Sequence, residues 1–377
     1  MFYKNARIYC DDFQFRMGAF EVSHGKFGLV LPENVPEDAI DLQGKTVIPG
    51  LVEVHSHGAV GADFSDGDYE GLKRMAAFYA QCGVTSFAPA SMTLPYDVLG
   101  KAFATAKRLV EERPENCAVL RGIHMEGPYF AESRRGAQNI EYLKDPDFEG
   151  FKALNDACGG LVRIVDVAPE LPGAVDFIQK AKEVCTVSVA HTDANYEEGK
   201  AAYDAGATHL THTFNAMPGI HHRDPGVISA AAENENVRVE IIGDAFHVLP
   251  PVVRLSFALF GSERIVFVSD SGRCCGMPEG SRFTLGGQDA ILQDGVGRLL
   301  NGTVACSAVN LYRCLLNALE MGIPEEDAVR AVTYNPACAI SAQDVVGSIT
   351  TGKQADFLIV SDDYTQKRVF IAGKEVA

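Results

Sequence analysis

Short, nearly continuous apolar runs rich in β-branched residues recur along the chain at Val47–Val54, Thr85–Ala88, Val119–Met125, Val162–Val167, Thr186–Ala190, Thr208–Thr211, Val237–Ile242 and Arg264–Val268. This is the pattern of strands buried on both faces. Between them lie segments with helical spacing of apolar residues, namely Tyr69–Gln81, Tyr96–Glu112, Ala174–Val184, Glu197–Ala205 and Pro250–Phe260. Strands alternating with helices predict βαβ units and a parallel sheet. Eight such units suit an α/β (β/α)8 TIM-like barrel of ~250 residues, and the span from Val47 to Asp270 supplies 224. The competing doubly wound sheet would carry, for dinucleotide binding, a glycine-rich turn after its first strand. None fits here.

The two ends of the chain read differently from the middle. β-formers and turns dominate both, as in Ala6–Tyr9, Gly25–Leu31, Asp356–Val360 and Lys367–Ile371. The expected organisation is a barrel over residues 47–342 and a small β-sandwich built from residues 1–46 together with 343–377. Residues 306–342 read as helical and join the two.

Composition narrows the function classes. Apolar residues make up 47% of the chain and charged residues 22%, as in an ordinary soluble globular protein. No run approaches the ~18–20 apolar residues of a membrane span, and the N-terminal segment has charges where a secretory signal has its apolar core. A cytoplasmic location and no membrane partner are expected. With 33 basic against 50 acidic residues the net charge is −17, which argues against nucleic-acid binding. An anionic substrate would need a few local cations. The ten cysteines are scattered without a CxxC pair, so neither a disulfide framework nor a zinc knuckle is expected. Cys274 and Cys275 form the only adjacent pair, and their role is open.

Candidate chemistry lies where the predicted strands end. The first ends in His55-Ser56-His57, the third in His124-Met125-Glu126, the fifth in His191, the sixth in His212 and the eighth in Asp270. His57 and Glu126 are 69 residues apart, Glu126 and His191 65, His191 and His212 21, and His212 and Asp270 58. At roughly 31 residues per βα unit, these are about two, two, one and two units. All five ends therefore open onto one face, where this fold carries its active sites. His55 and His57, two apart on a strand, point to the same side. Imidazoles and carboxylates without thiolate suit a divalent Zn, Fe, Mn or Co ion. His124 is either a ligand or a hydrogen-bonding support. His209 should point away from His212 and reads as structural.

The segment Val47-Ile48-Pro49-Gly50-Leu51-Val52-Glu53-Val54-His55-Ser56-His57-Gly58 resembles the opening motif of the amidohydrolase superfamily. His124–Tyr129, Arg135–Gln138, Thr211–Pro218, Arg223–Gly226, Asp244–His247 and Ser269–Ser271 resemble its branch of amino-sugar phosphate deacetylases, from about residue 47 to the end. The resemblance implies hydrolysis of the N-acetyl amide of N-acetylglucosamine 6-phosphate to glucosamine 6-phosphate and acetate. The galactosamine epimer or another N-acyl amide is the alternative substrate, and a non-catalytic scaffold a remote one. It implies one or two metals, with Glu126, His191 and His212 holding the catalytic ion. His55 and His57 would hold a second one, with Glu126 bridging and Asp270 on that side. The fourth strand has no lysine to serve as a carboxylated bridge, which favours Glu126 in that place. Asp270 is the expected proton shuttle, with pure metal ligation as the other reading.

The resemblance further implies that Arg223 binds the phosphate, across a homodimer interface or within the chain, with Asn215, Ala216 and His247 assisting. Ala137 and Gln138 would contact the sugar, and Val304, Ala305 and Cys306 would border it. The branch often has glycine where Ala245 and Cys306 stand, and the segment with Arg273 is also unusual. These departures bear on the sugar epimer rather than on the reaction.

Overall fold

A computed structural model of the chain describes residues 1–377. Its parallel strands form two sheets. Leu51–Glu53, Val84–Phe87 and Val119–Leu120 make the smaller. Ile123–Met125, Val162–Val167, Thr186–Val189, His209–Leu210, Arg238–Ile242 and Ile265–Val268 make the larger, in chain order. The expected strand over Val119–Met125 breaks at Arg121-Gly122 and serves both sheets. Gly122 is needed there, since a Cβ would lie 2.1 Å from Cγ of Arg163. At the opposite seam Asp270 N donates to His55 O (2.9 Å) and His57 N to Ser271 O (2.8 Å). The result is a mixed α/β fold, a curled parallel arrangement flanked by helices and joined to antiparallel sheets.

Burial on both strand faces accounts for the apolar runs. Val52, Val54, Ala88, Ile164, Ile242, Val266 and Val268 meet one another inside the curl. Phe87, Val165, Val187, Val239, Ile241 and Phe267 belong to the larger core that includes the surrounding helices. Several helices start where a side chain satisfies otherwise free backbone N–H groups. Asp68 caps Tyr69–Gln81 and Asn310 caps Leu311–Glu320. Asn195 and Glu198 form a reciprocal capping box on Tyr196–Ala205. The helix expected over Ala174–Val184 stops at Ala181.

The antiparallel parts hold the main differences from expectation. The run read as one strand over Val47–Val54 divides at Gly50. Thr46–Pro49 joins a sheet with Phe2–Tyr9 and Phe357–Val360, while Leu51–Glu53 joins the parallel strands. A Cβ on Gly50 would fall 2.1 Å from Thr85 Oγ1, so only glycine lets the chain cross there. That mixed sheet has eight strands and interleaves both chain ends. A second antiparallel sheet, Arg282–Leu285, Gln288–Gln293, Val296–Leu299 and Val304–Ser307, was not anticipated. Its last strand also delays the expected helical stretch at 306, which begins at Leu311. This sheet reaches the mouth of the parallel strands, where Gln288 Nε2 donates to Ala137 O (2.7 Å).

Candidate metal centre

The chain turns sharply where the strands deliver their polar side chains. His191, His212 and Asp270 have φ of 44°, 28° and 47°, in the left-handed region that non-glycine residues rarely adopt. Such strain costs about 1–3 kcal/mol per residue and persists where the surroundings hold it in place. It brings His191 Nε2 to 3.0 Å and His212 Nε2 to 3.3 Å from Glu126 Oε1, with the two nitrogens 3.1 Å apart. His57 Nε2 lies 3.3 Å from Glu126 Oε2, and His55 Nε2 lies 3.7 Å from Oε1. Asp270 Oδ1 is 3.4 Å from His57 Nε2 and 3.8 Å from His55 Nε2. Glu126 thus stands between two trios, each compact enough for one ion. All of these residues are buried.

Hydrogen bonds set the protonation of the rings. His191 Nδ1 faces the carbonyl of Arg134 at 2.9 Å and must donate to it, which turns Nε2 toward Glu126. His55 Nδ1 faces Glu240 Oε2 at 2.8 Å, leaving a buried Nε2 with no hydrogen-bond partner. Two imidazole nitrogens 3.1 Å apart, beside a buried carboxylate and an orphaned ring nitrogen, are a donor set for a cation. Electrostatics agree. Burial alone would lower the pKa of His57 and His212, yet Glu126, joined by Asp270, outweighs it and pushes both up to about 9. Burial likewise works against ionisation of Asp270, but the His57 and His55 rings hold its carboxyl below the usual range. The site draws positive charge, and a divalent ion meets that demand.

His124 is not part of the donor set. Its Nδ1 bonds Val54 O (3.0 Å) and its Nε2 bonds Asp166 (2.9 Å), so neither nitrogen is free. Burial would lower its pKa, but Asp166 more than reverses this and raises it to about 10. His209 is buried with Nε2 3.0 Å from Glu240, in a structural position.

A cavity of about 320 Å³ opens above the donors. His57, Glu126, His191, His212 and Asp270 line it, with Ala137, Gln138, Asn215, Ala216, His247, Val304 and Ala305. Gln138 donates to Glu126 Oε2 (2.7 Å) and accepts from Thr93 N (2.8 Å). His247 is braced by Asp244 at 2.6 Å. Two expected residues are not brought in. Cys306 is fully buried behind the wall, its thiol 3.8 Å from that of Cys274. Arg223 lies on an exposed loop outside the cavity, 2.7 Å from His222. Sequence reasoning also missed Arg134, which lines the cavity paired with Asp193, and the buried carboxylates Glu53, Asp166 and Glu240. The signal was present: an ionisable residue inside an otherwise apolar strand needs a partner.

The profile of the Amidohydrolase family matches residues 46–237 and 262–376. The chain is 33% identical over 341 residues to the N-acetylglucosamine-6-phosphate deacetylase of Vibrio furnissii, covering 90% of this chain and 85% of that one. It is 29% identical over 368 residues to the N-acetylgalactosamine-6-phosphate deacetylase of Escherichia coli O157:H7, covering 97% and 94%. The structure of N-acetyl-D-glucosamine-6-phosphate deacetylase from Mycobacterium smegmatis in complex with N-acetyl-D-glucosamine-6-phosphate superimposes with a TM-score of 0.93 at 30% identity, covering 100% and 99%.

Proposed function

The chain belongs to the amidohydrolase family, and from that premise we propose that it hydrolyses the N-acetyl amide of N-acetylglucosamine 6-phosphate to glucosamine 6-phosphate and acetate. The observation that carries this reading is the convergence of Glu126, His191 and His212 on one point at the floor of a small polar cavity. These three residues would hold the catalytic metal. His55 and His57, with Glu126 bridging and Asp270 beside them, would hold a second. A divalent ion held there would acidify a water and polarise an acyl oxygen; zinc or iron suits these donors best, and manganese or cobalt is compatible. Asp270, ionised and lining the cavity, takes the proton of the attacking water and returns it to the leaving amine. Ala137 and Gln138 would contact the sugar, Asn215 and Ala216 would assist at its phosphate, and His247, held by Asp244, would orient the acetyl group or a hydroxyl.

The position of Arg223 outside this chain's own cavity fits a homodimer in which its guanidinium reaches the phosphate bound by the other copy. The two curled sheets are read as one closed (β/α)8 barrel, supported by hydrogen bonds across both seams, including Ser91 N to His124 O (2.9 Å). Residues 47–342 form the barrel domain and residues 1–46 with 343–377 the small β domain. All ten cysteines are free, which favours a reducing, cytoplasmic location, and no helix is long and apolar enough to cross a membrane. The galactosamine epimer is the second reading. An acetate-release screen of the metal-loaded protein over phosphorylated N-acetyl sugars tests both. The glucosamine compound should give the highest kcat/KM; preference for its epimer favours the second reading, and no acetate from any member overturns the proposal.

A further inference from the structure

Glu240 lies on Arg238–Ile242 with no accessible surface, and no lysine or arginine bonds to it. Its two oxygens gather three donors from two strands. Oε2 accepts from His55 Nδ1 (2.8 Å) and from the backbone N–H of His212 (3.1 Å), and Oε1 pairs with His209 Nε2 (3.0 Å). His55 and His212 belong to the two different trios that share Glu126, so one carboxylate supports both trios of the metal centre. Neither contact has a substitute. Once His55 Nδ1–H is committed to Glu240, its Nε2 is a bare lone pair directed at Glu126 and Asp270. His212 sits at φ 28°, a conformation kept only by contacts such as this one.

We propose that Glu240 is a positioning residue for the metal centre, holding His55 in its Nδ1–H tautomer and the His212 backbone in the turn that aims its ring at Glu126. This rests on the metal-centre reading above. The chemistry ranks two substitutions. In Glu240→Gln the amide oxygen can still serve His55 and His212. Its NH2 would then face His209, which can accept by moving its proton to the unpartnered Nδ1. In Glu240→Leu all three donors lose their acceptor.

The test is zinc affinity by chelator competition on the full chain, with the melting temperature of chelator-treated protein measured alongside. Outer hydrogen-bonding partners of metal ligands are worth about 10–100-fold in metal affinity. The dissociation constant should rise toward the lower end for Glu240→Gln and the upper end for Glu240→Leu. A merely structural residue would lower the melting temperature of metal-free protein and leave zinc affinity unchanged, which would overturn the inference. Should Glu240→Leu not fold, the glutamine variant and the wild type decide. NMR of zinc-loaded wild-type protein with 15N-labelled histidine should show His55 protonated on Nδ1, and a proton on Nε2 would overturn the inference. Wild-type protein that takes up no zinc overturns the metal-centre reading instead.

Discussion

Replacing Asp270 with asparagine keeps the side chain's size and removes its charge and its capacity to carry a proton. Asp270 lines the cavity, with Oδ1 3.4 Å from His57 Nε2 and 3.8 Å from His55 Nε2. The contacts among Glu126, His191 and His212, at 3.0 to 3.3 Å, do not involve it. The substitution should therefore separate chemistry from metal retention. A positioned acid–base group contributes typically ~10²–10⁴-fold to rate. A loss of ~10³-fold in kcat is expected, about 4 kcal/mol on the barrier at ~1.36 kcal/mol per decade. KM should change less than kcat, because the cavity-lining Ala137, Gln138 and Asn215, proposed to hold the substrate, are untouched. Enzyme-coupled acetate release measures the rate, and elemental analysis of the same sample measures the metal. Turnover within about tenfold of wild type would refute the shuttle role. Loss of all bound metal would show that Asp270 acts chiefly as a ligand.

Arg223→Ala should raise KM for the phosphorylated sugar by about 10–100-fold, the worth of one charge-assisted contact, with little effect on kcat; an unchanged KM removes it from the phosphate site. Chelation should lower the melting temperature by about 5 °C if metal was present at ~1,000 times its dissociation constant, from ~4 kcal/mol of linkage spread over a chain of this size, and a superimposable curve would contradict a resident metal. Glu325 supplies a pH test away from the cavity. It binds Arg7 through 2.6 and 2.7 Å contacts and Tyr364 at 2.7 Å. Burial raises its pKa, but these two partners more than reverse that and hold it below its ordinary value. The unfolded chain thus takes up this proton first as pH falls, so the stabilisation is complete above about pH 4.5 and is lost as pH drops through the folded value. Urea unfolding at neutral and acid pH should show about 1 kcal/mol of this dependence missing in Glu325→Gln; an identical dependence in both proteins would count against it.

The sequence showed the parts of the molecule in which chemistry and periodicity coincide. The run Val162–Val167 is a strand over its whole expected length, because burial on both faces leaves a mostly apolar, β-branched stretch. The clustered strand-end His, Glu and Asp side chains were legible because roughly whole numbers of βα units separate them, so spacing alone points them to one face. Three features were hidden for distinct reasons. Glu240 and Asp166 sit inside apolar runs, and a window that averages hydropathy absorbs a single charge. The sheet over residues 282–307 does alternate, as in Arg282-Phe283-Thr284-Leu285, but nothing local says that it interrupts the approach to the helices. The burial of Cys306 depends on Gly272 and Gly297, where a Cβ would lie 2.3 and 2.5 Å from its sulfur. That packing joins segments distant in sequence, which periodicity cannot report.

Anomalous diffraction from crystals grown with zinc tests the central claim most directly. The account predicts a strong peak bonded to Glu126, His191 and His212, with zinc–ligand distances of about 2.0–2.2 Å. A zinc-replete crystal with no peak among these three residues, or with its only peak elsewhere on the protein, would contradict it.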